Sequence, residues 1–195
     1  MASSIDPTKP IVGTPTTASV RDNFAAAKAE IEALQAQVAA MLASYDAPAI
    51  ITADFPSGSN AGAPPINIWQ TRTLNTIIQD GGFLVSLAGN AFTLPPGRYS
   101  IRAEFQTYRT HSTLLRLQDL TAGATLDQTI NTHVRASYYQ GDTLVLESII
   151  TLAAESSLSF QQITEYQEAT YGWGIGINLG SPERFARVTI RKLPQ

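Results

Sequence analysis

The sequence predicts a mainly β protein in which an antiparallel β sandwich or barrel follows one long helix. From residue 46 onward, apolar and polar side chains alternate with the period of two that is typical of half-buried strands. Turn-forming pairs of glycine, proline and asparagine separate these segments, and no strand–helix alternation accompanies them. Between residues 19 and 45 the apolar period changes to seven, which predicts a helix that associates with other helices.

The composition excludes several classes of protein. The 195-residue chain has no cysteine and two histidines, which excludes a disulfide scaffold, a thiolate zinc site and a multi-histidine metal site. Its formal net charge of −3, without a basic run, argues against nucleic-acid binding. No apolar stretch reaches the roughly 18 residues of a membrane helix, and the first residues lack a secretory signal pattern. We therefore expect no membrane insertion.

Residues 1–18 show no periodicity and contain three prolines, which favour an extended chain. Two interpretations stay open. The segment is a frayed terminus, or it is an arm that becomes ordered on a partner. In the second case Pro10, Ile11 and Val12 form the apolar anchor.

Residues 19–45 are predicted to be a helix because nine of the 27 are alanine and the first proline afterwards is Pro48. The apolar side chains form two rows with the spacing of a and d positions in a coiled coil: Phe24, Ile31, Val38 and Tyr45 in one row, and Val20, Ala27, Leu34 and Met41 in the other. Four a/d pairs favour self-association over a helix that lies on its own domain. The mixed rows allow a dimer or a trimer.

Residues 46–195 are predicted to form the β domain. Four apolar side chains alternate with polar ones in the clearest strand: Tyr99, Ile101, Ala103 and Phe105. The strand at 143–152 has apolar residues on both faces, so we expect it to be covered on both. Residues 55–66 are rich in proline, glycine and small side chains, and are either a loop or a linker.

A search for chemistry gives a negative answer. The chain has no nucleophile elbow, no phosphate-binding loop and no zinc-protease motif. His111 and His133 could each meet a serine and an acid in space, but their local context is that of ordinary polar residues. The glycines between 172 and 180 do not have the dinucleotide-binding spacing. We therefore predict no catalytic, cofactor-binding or metal-binding residues, and no cofactor.

Three aromatic residues are the candidates for surface binding. Tyr166, Tyr171 and Trp173 lie close together in the sequence, beside glycines. An exposed group of this kind could stack on sugars or form a contact hot spot. The alternative, which we favour, is packing in the core or in a subunit interface.

Residues 69–76 and 83–105 resemble the small C-terminal jelly-roll domain of tailed-phage fibre proteins. That domain is similar to the tumour-necrosis-factor and complement globular-head fold. Three short segments carry the resemblance: the turn and strand LPPGRY at 94–99, the strand LRLQD at 115–119 and the closing strand ARVTIRKL at 186–193. The resemblance extends over roughly residues 48–195 and specifies the sandwich as an antiparallel jelly roll.

The resemblance implies a homotrimer in which one sheet of each copy faces the threefold axis. The sequence at 18–35 also looks like the start of phage virion proteins that anchor to a particle. We therefore expect a non-enzymatic structural component of a tailed-phage virion, located on the tail or the capsid surface. It would be a short homotrimeric fibre whose N-terminal arm binds other virion proteins. Its jelly-roll head would contact polysaccharide or protein on the host surface.

Two alternatives to this function belong to other classes. The first is a capsid decoration or head-fibre protein that has no receptor role. The second is a depolymerase spike, which would need a pair of carboxylates in a groove. Such spikes usually carry long repetitive β-helical stretches, and this chain lacks them, so the enzymatic alternative is the weakest of the three.

Overall fold

The chain divides into a helical unit that ends at Asp46 and a β unit that begins at Ala47. The structure is a computed structural model that describes residues 17–63, 65–134, 141–166 and 169–194. The predicted anchor residues Pro10, Ile11 and Val12 lie outside the described residues.

The helical unit is one α-helix, α1, from Thr17 to Asp46. It begins two residues before the predicted helix and ends one residue after it. Four heptad side chains are exposed in the single chain, by these fractions: Phe24 72%, Ile31 55%, Leu34 59% and Val38 51%. Val20 and Ala27 are half-buried, and the side chains of Met41 and Tyr45 lie outside the described part. No helix of the described residues is long and apolar enough to cross a membrane.

The described part of the β unit contains twelve strands. In chain order they are β1 Ala49–Phe55, β2 Gln70–Thr71, β3 Thr76–Asp80, β4 Ser86–Ala88, β5 Ala91–Leu94, β6 Gly97–Tyr108, β7 His111–Asp119, β8 Ala124–Gln128, β9 Thr132–Val134, β10 Gly141–Leu152, β11 Ser156–Thr164 and β12 Glu183–Leu193.

These strands form two sheets. The first sheet has the order β10-β6-β12-β1-β3, and the second has the order β4-β5-β11-β7-β8, with β2 on β11 and β9 on β7. From β5 to β7, and again from β10 to β12, consecutive strands alternate between the two sheets. All pairs of strands are antiparallel. This path is that of a double-sheet jelly roll, so the mainly β, antiparallel jelly-roll part of the predicted fold is confirmed.

The core lies between the two sheets. The alternating residues of β6 point into it and are almost fully buried. The ring of Phe160 on β11 lies 5.1 Å from that of Phe105 on β6 and 6.0 Å from that of Phe92 on β5. Aromatic contacts of this length add to the free energy of burial. The contact between Phe105 and Phe160 joins the two sheets, and the contact between Phe92 and Phe160 lies within the second sheet.

The strand with two apolar faces, β10, is an edge strand of the first sheet. Leu144 and Leu146 point into the core, as its pattern predicted. Val145 and Ile149 point outwards and are 42% and 60% exposed in the single chain. In the single chain the strand is therefore covered on one face, because a sandwich of two sheets has no third layer.

In the segment predicted to be a loop or a linker, residues 56–63 form a loop that packs within the β unit. The Ala61 N–H donates to the Gly174 carbonyl over 3.1 Å, and the Trp173 N–H donates to the Gly62 carbonyl over 3.0 Å. Two reciprocal backbone hydrogen bonds of this kind tie the loop to the segment that precedes β12.

The same two segments meet at a single carboxylate. Oε1 of Glu183 accepts hydrogen bonds from the backbone N–H groups of Gly58, Asn178 and Ile177 at 2.9, 2.9 and 3.1 Å. These donors, with Gly58 first, hold the pKa of Glu183 below its ordinary value because they stabilise the ionised form. Glu183 is thus a structural residue that fixes two loops.

Candidate functional surfaces

The outward face of the first sheet is one candidate interaction surface. The side chains of β6, β10 and β12 line a shallow groove of about 550 Å³ there. Two cross-strand rows form most of it: Ile149, Ser100 and Arg191, followed by Glu147, Arg102 and Thr189. The groove therefore has an apolar rim along the edge strand and a charged centre.

Ion pairs order the charged centre. Arg102 donates to Glu104 over 2.7 Å and also to Glu147 on the neighbouring strand. Glu104 and then Glu147 raise the pKa of Arg102, because both carboxylates stabilise the charged guanidinium. At the other end of this sheet, Arg184 holds both oxygens of Asp54 at 2.7 Å. In protein interfaces the buried core is apolar and charged groups lie in the rim, so the edge of the groove at Ile149 is the part that suits a buried contact.

The apolar row of α1 is a second candidate surface, within the helical unit. Ile31, Leu34 and Val38 line a shallow apolar depression along the helix. An exposed row with heptad spacing has the geometry in which a second helix inserts its side chains.

The three aromatic residues predicted for surface binding have different surroundings. The Tyr171 ring lies edge-on to Tyr108 at 5.4 Å, and the side chain is half-buried. Trp173 is half-buried beside the guanidinium of Arg72, whose Cζ lies 5.1 Å from a ring centroid. Tyr166 is 40% exposed and stacks on His111 at 4.9 Å.

Arg72 is a buried residue that the sequence did not indicate. Only 2% of its surface is exposed, and burial lowers its pKa because desolvation disfavours the charge. Its guanidinium donates to the Gln106 and Trp173 carbonyls at 3.0 Å each, and to the Gln162 side chain. The guanidinium also lies over the Phe105 ring at 5.1 Å. Nothing in the run WQTRTLNT distinguishes this arginine from a surface one, since its partners are far away in the sequence.

The two histidines, which the sequence leaves as ordinary polar residues, lie together on the second sheet. The pairing of β7 with β9 places His133 opposite Ser112, and its Nδ1 lies 3.3 Å from the Ser112 hydroxyl. The His111 and His133 rings are 5.7 Å apart. Glu165, just after β11, has its pKa lowered first by the Ser112 hydroxyl, then by the Ser112 backbone and by the two histidines.

This serine, histidine and glutamate do not form a catalytic triad. In a triad the acid holds the ring nitrogen of the histidine that faces away from the serine. Here Glu165 and His133 both interact with the Ser112 hydroxyl. Within the described residues, no group of three or more histidine, aspartate or glutamate side chains could hold a metal ion. The arrangement can form hydrogen bonds with a ligand, and it does not contain the acid–histidine contact of a triad.

Comparison with known proteins adds one structural likeness. No protein-family model matches the chain, and no curated protein matches it. Among solved structures, the chain is similar to the globular domain of the zebrafish complement 1qA protein, with 13% sequence identity and a TM-score of 0.49. The match covers 77% of this chain and 99% of that one. The strand order of the two sheets by itself defines the jelly roll.

Proposed function

We propose that this chain is a non-enzymatic, homotrimeric fibre or spike of a tailed-phage virion. In this proposal the N-terminal arm binds other virion proteins, α1 forms a parallel coiled coil, and the jelly-roll head contacts the host surface. The observation that carries self-association is the row of heptad side chains that are more than half exposed in the single chain. An exposed row of four large apolar side chains is typical of a surface that a partner covers.

The head offers a second reason for self-association. Val145 and Ile149 are exposed along β10, which is an edge strand of the first sheet in the described part of the chain. Proteins usually cover or blunt such apolar edges. In a threefold ring, the edge of one copy lies against the neighbouring copy and each contact repeats until the ring closes. In a ring of three copies, the β10 edge of every copy is therefore covered.

The virion location is supported by the sequence resemblance at residues 69–76 and 83–105. Presenting three heads on one rod increases the affinity for a surface with many weak sites. This advantage favours a head that contacts a repetitive host surface. A capsid decoration without a receptor role uses the same trimer and is the other outcome of the adsorption experiment below.

The first experiment measures the mass of the purified chain by light scattering. Three chains of 21.0 kDa give about 63 kDa, which is the expected result. A mass of one chain would contradict the proposal, and a mass of two chains would replace the trimer with a dimer.

The second experiment adds the purified protein to susceptible cells before the particle that carries it. A receptor-binding head occupies the host sites and slows adsorption of the particle. Unchanged adsorption, with the protein present on the particle by antibody labelling, would instead favour the decoration role. Absence of the protein from particles would contradict both.

A further inference from the structure

A small pocket with both polar and apolar side chains opens on the outward face of the second sheet, where β7 begins and β11 ends. Its volume is about 200 Å³. It is lined mainly by these residues: Asn67, Ser112, Leu114, Asn131, Ile163 and Glu165. Ligand pockets for drug-sized molecules have volumes of roughly 300 to 1,000 Å³. This pocket therefore suits a ligand of about one ring.

Four separate chain segments position the pocket. Thr113 on β7 pairs with Thr164 on β11, which brings the ends of the two strands together. The Asn67 N–H donates to the Thr164 carbonyl over 2.8 Å and places that asparagine at the pocket wall. Asn131 comes just before β9, which pairs with β7. Backbone hydrogen bonds hold Asn67, β7 and β11 in place, so the polar groups on these segments are arranged before a ligand arrives.

The lining chemistry suits a neutral ligand with several hydroxyl groups. The amides of Asn67 and Asn131 can each donate and accept, and Ser112 can do both. The Glu165 carboxylate is a charged acceptor, and hydrogen bonds from Ser112 hold its pKa below its ordinary value because they stabilise the ionised form. The same charge disfavours an anionic ligand. A metal ion is disfavoured too, because the described residues include no metal-binding cluster.

An aromatic side chain lies next to the pocket in the sequence. Tyr166 directly follows Glu165, and its backbone N–H donates to the Thr110 carbonyl over 3.2 Å. Its ring stacks on His111 with 25° between the ring planes. The Tyr166 side chain is 40% exposed, so part of its surface is open to a ligand beside Glu165.

We propose that this pocket binds one neutral sugar ring of a surface polysaccharide. Glu165, Asn67 and Asn131 hydrogen-bond the sugar hydroxyls, and Tyr166 packs against the C–H face of the ring. The inference rests on the proposed host-contact role and names its ligand class. The site is distinct from Tyr171 and Trp173, which pack against Tyr108 and Arg72.

The test is ligand-observed NMR with the full chain and a panel of monosaccharides: glucose, galactose, mannose, rhamnose and N-acetylglucosamine. We expect saturation transfer to at least one of them, with a dissociation constant in the millimolar range. Glu165→Gln removes the charge and keeps the shape, so binding should weaken about tenfold. Glu155→Gln makes the same change at an exposed glutamate between β10 and β11 and should bind like the parent. Tyr166→Ala should also weaken binding.

Three results would overturn the sugar site. They are no transfer to any sugar, transfer that Glu165→Gln leaves unchanged, and an equal loss in Glu165→Gln and Glu155→Gln. Binding of the intact protein to host cells distinguishes this failure from failure of the proposed function. If the trimer binds cells and Glu165→Gln binds them equally well, the head contacts its host through another surface and the host-contact role stands. If the parent binds sugar but no cells, the pocket stands and the host-contact role fails.

Discussion

Replacing Ile31 with aspartate tests whether α1 associates through its heptad row. Ile31 occupies an a position in the middle of the helix and is more than half exposed in the single chain. In a coiled coil this side chain would be buried against its symmetry copies. The substitution therefore places one carboxylate per chain at the centre of the contact, where desolvation and like charge both oppose association.

The exposed fractions of the heptad side chains determine how much association free energy the substitution should remove. Full burial of one large apolar side chain contributes about 1.5 to 3 kcal/mol, so the four exposed heptad residues together offer about 4 to 7 kcal/mol per chain. The share of Ile31 is about 1 to 2 kcal/mol per chain. Across three chains the loss is at least about 3 kcal/mol. This corresponds to roughly a hundredfold weaker association or more, before the cost of the charge is added.

The assay is sedimentation of the variant over a dilution series, together with thermal melting followed by the helical circular-dichroism signal. Ala36→Asp is the matched control, because it adds the same charge at an exposed f position of the same helix. We expect Ile31→Asp to dissociate at higher protein concentration, or its helix to melt at lower temperature, than the control. Equal masses at every dilution and equal helix melting in the two variants would refute the heptad contact.

Three further predictions concern the β unit. Ile149→Asp should lower the mass of the assembly without unfolding the head. Val85→Asp, at a similarly exposed apolar residue directly before β4, should leave the mass unchanged. The same mass for both variants would show that β10 is not in a contact. Arg72→Met leaves two carbonyls and one amide oxygen without their donor. It should lower the free energy of unfolding, measured in urea, by about 3 kcal/mol. An unchanged urea midpoint would mean that the buried guanidinium adds no net stability. The depressed pKa of Glu183 contributes stability above the unfolded-state pKa of about 4.3, and this stability is lost as the pH falls through the lower folded-state pKa. Glu183→Gln should therefore lower the melting temperature at pH 7, and its melting temperature should fall less steeply in acid than that of the parent. Parallel plots of melting temperature against pH for parent and variant would contradict this.

The helix and the strands could be predicted because their signals are local. The seven-residue period and the alanine content of α1, and the alternation in β6, depend on residues close together in the chain. The helix ends differ from the prediction by one or two residues at Thr17 and Asp46, where propensity changes gradually. The coiled coil remains a prediction, because one chain cannot present the partner that its apolar row requires.

The pocket on the second sheet could not be predicted from the sequence. Asn67, Ser112, Asn131 and Glu165 come from four places in the chain, and their proximity depends on the pairing of β7 with β9 and β11. No spacing in the sequence encodes such a pairing. The burial of Arg72 has the same origin, because its partners are 34 to 101 residues away.

The sequence by itself determined the two periodicities, the turns between strands and the absence of cysteine and metal-binding motifs. Side-chain periods arise from the local geometry of helix and strand, so they can be read along one stretch of chain. Only the tertiary structure decided which strands pair, which charge is buried and which polar groups share a pocket. These properties depend on contacts between distant residues, and they are selected by the free energy of the whole packed sandwich rather than by any single segment.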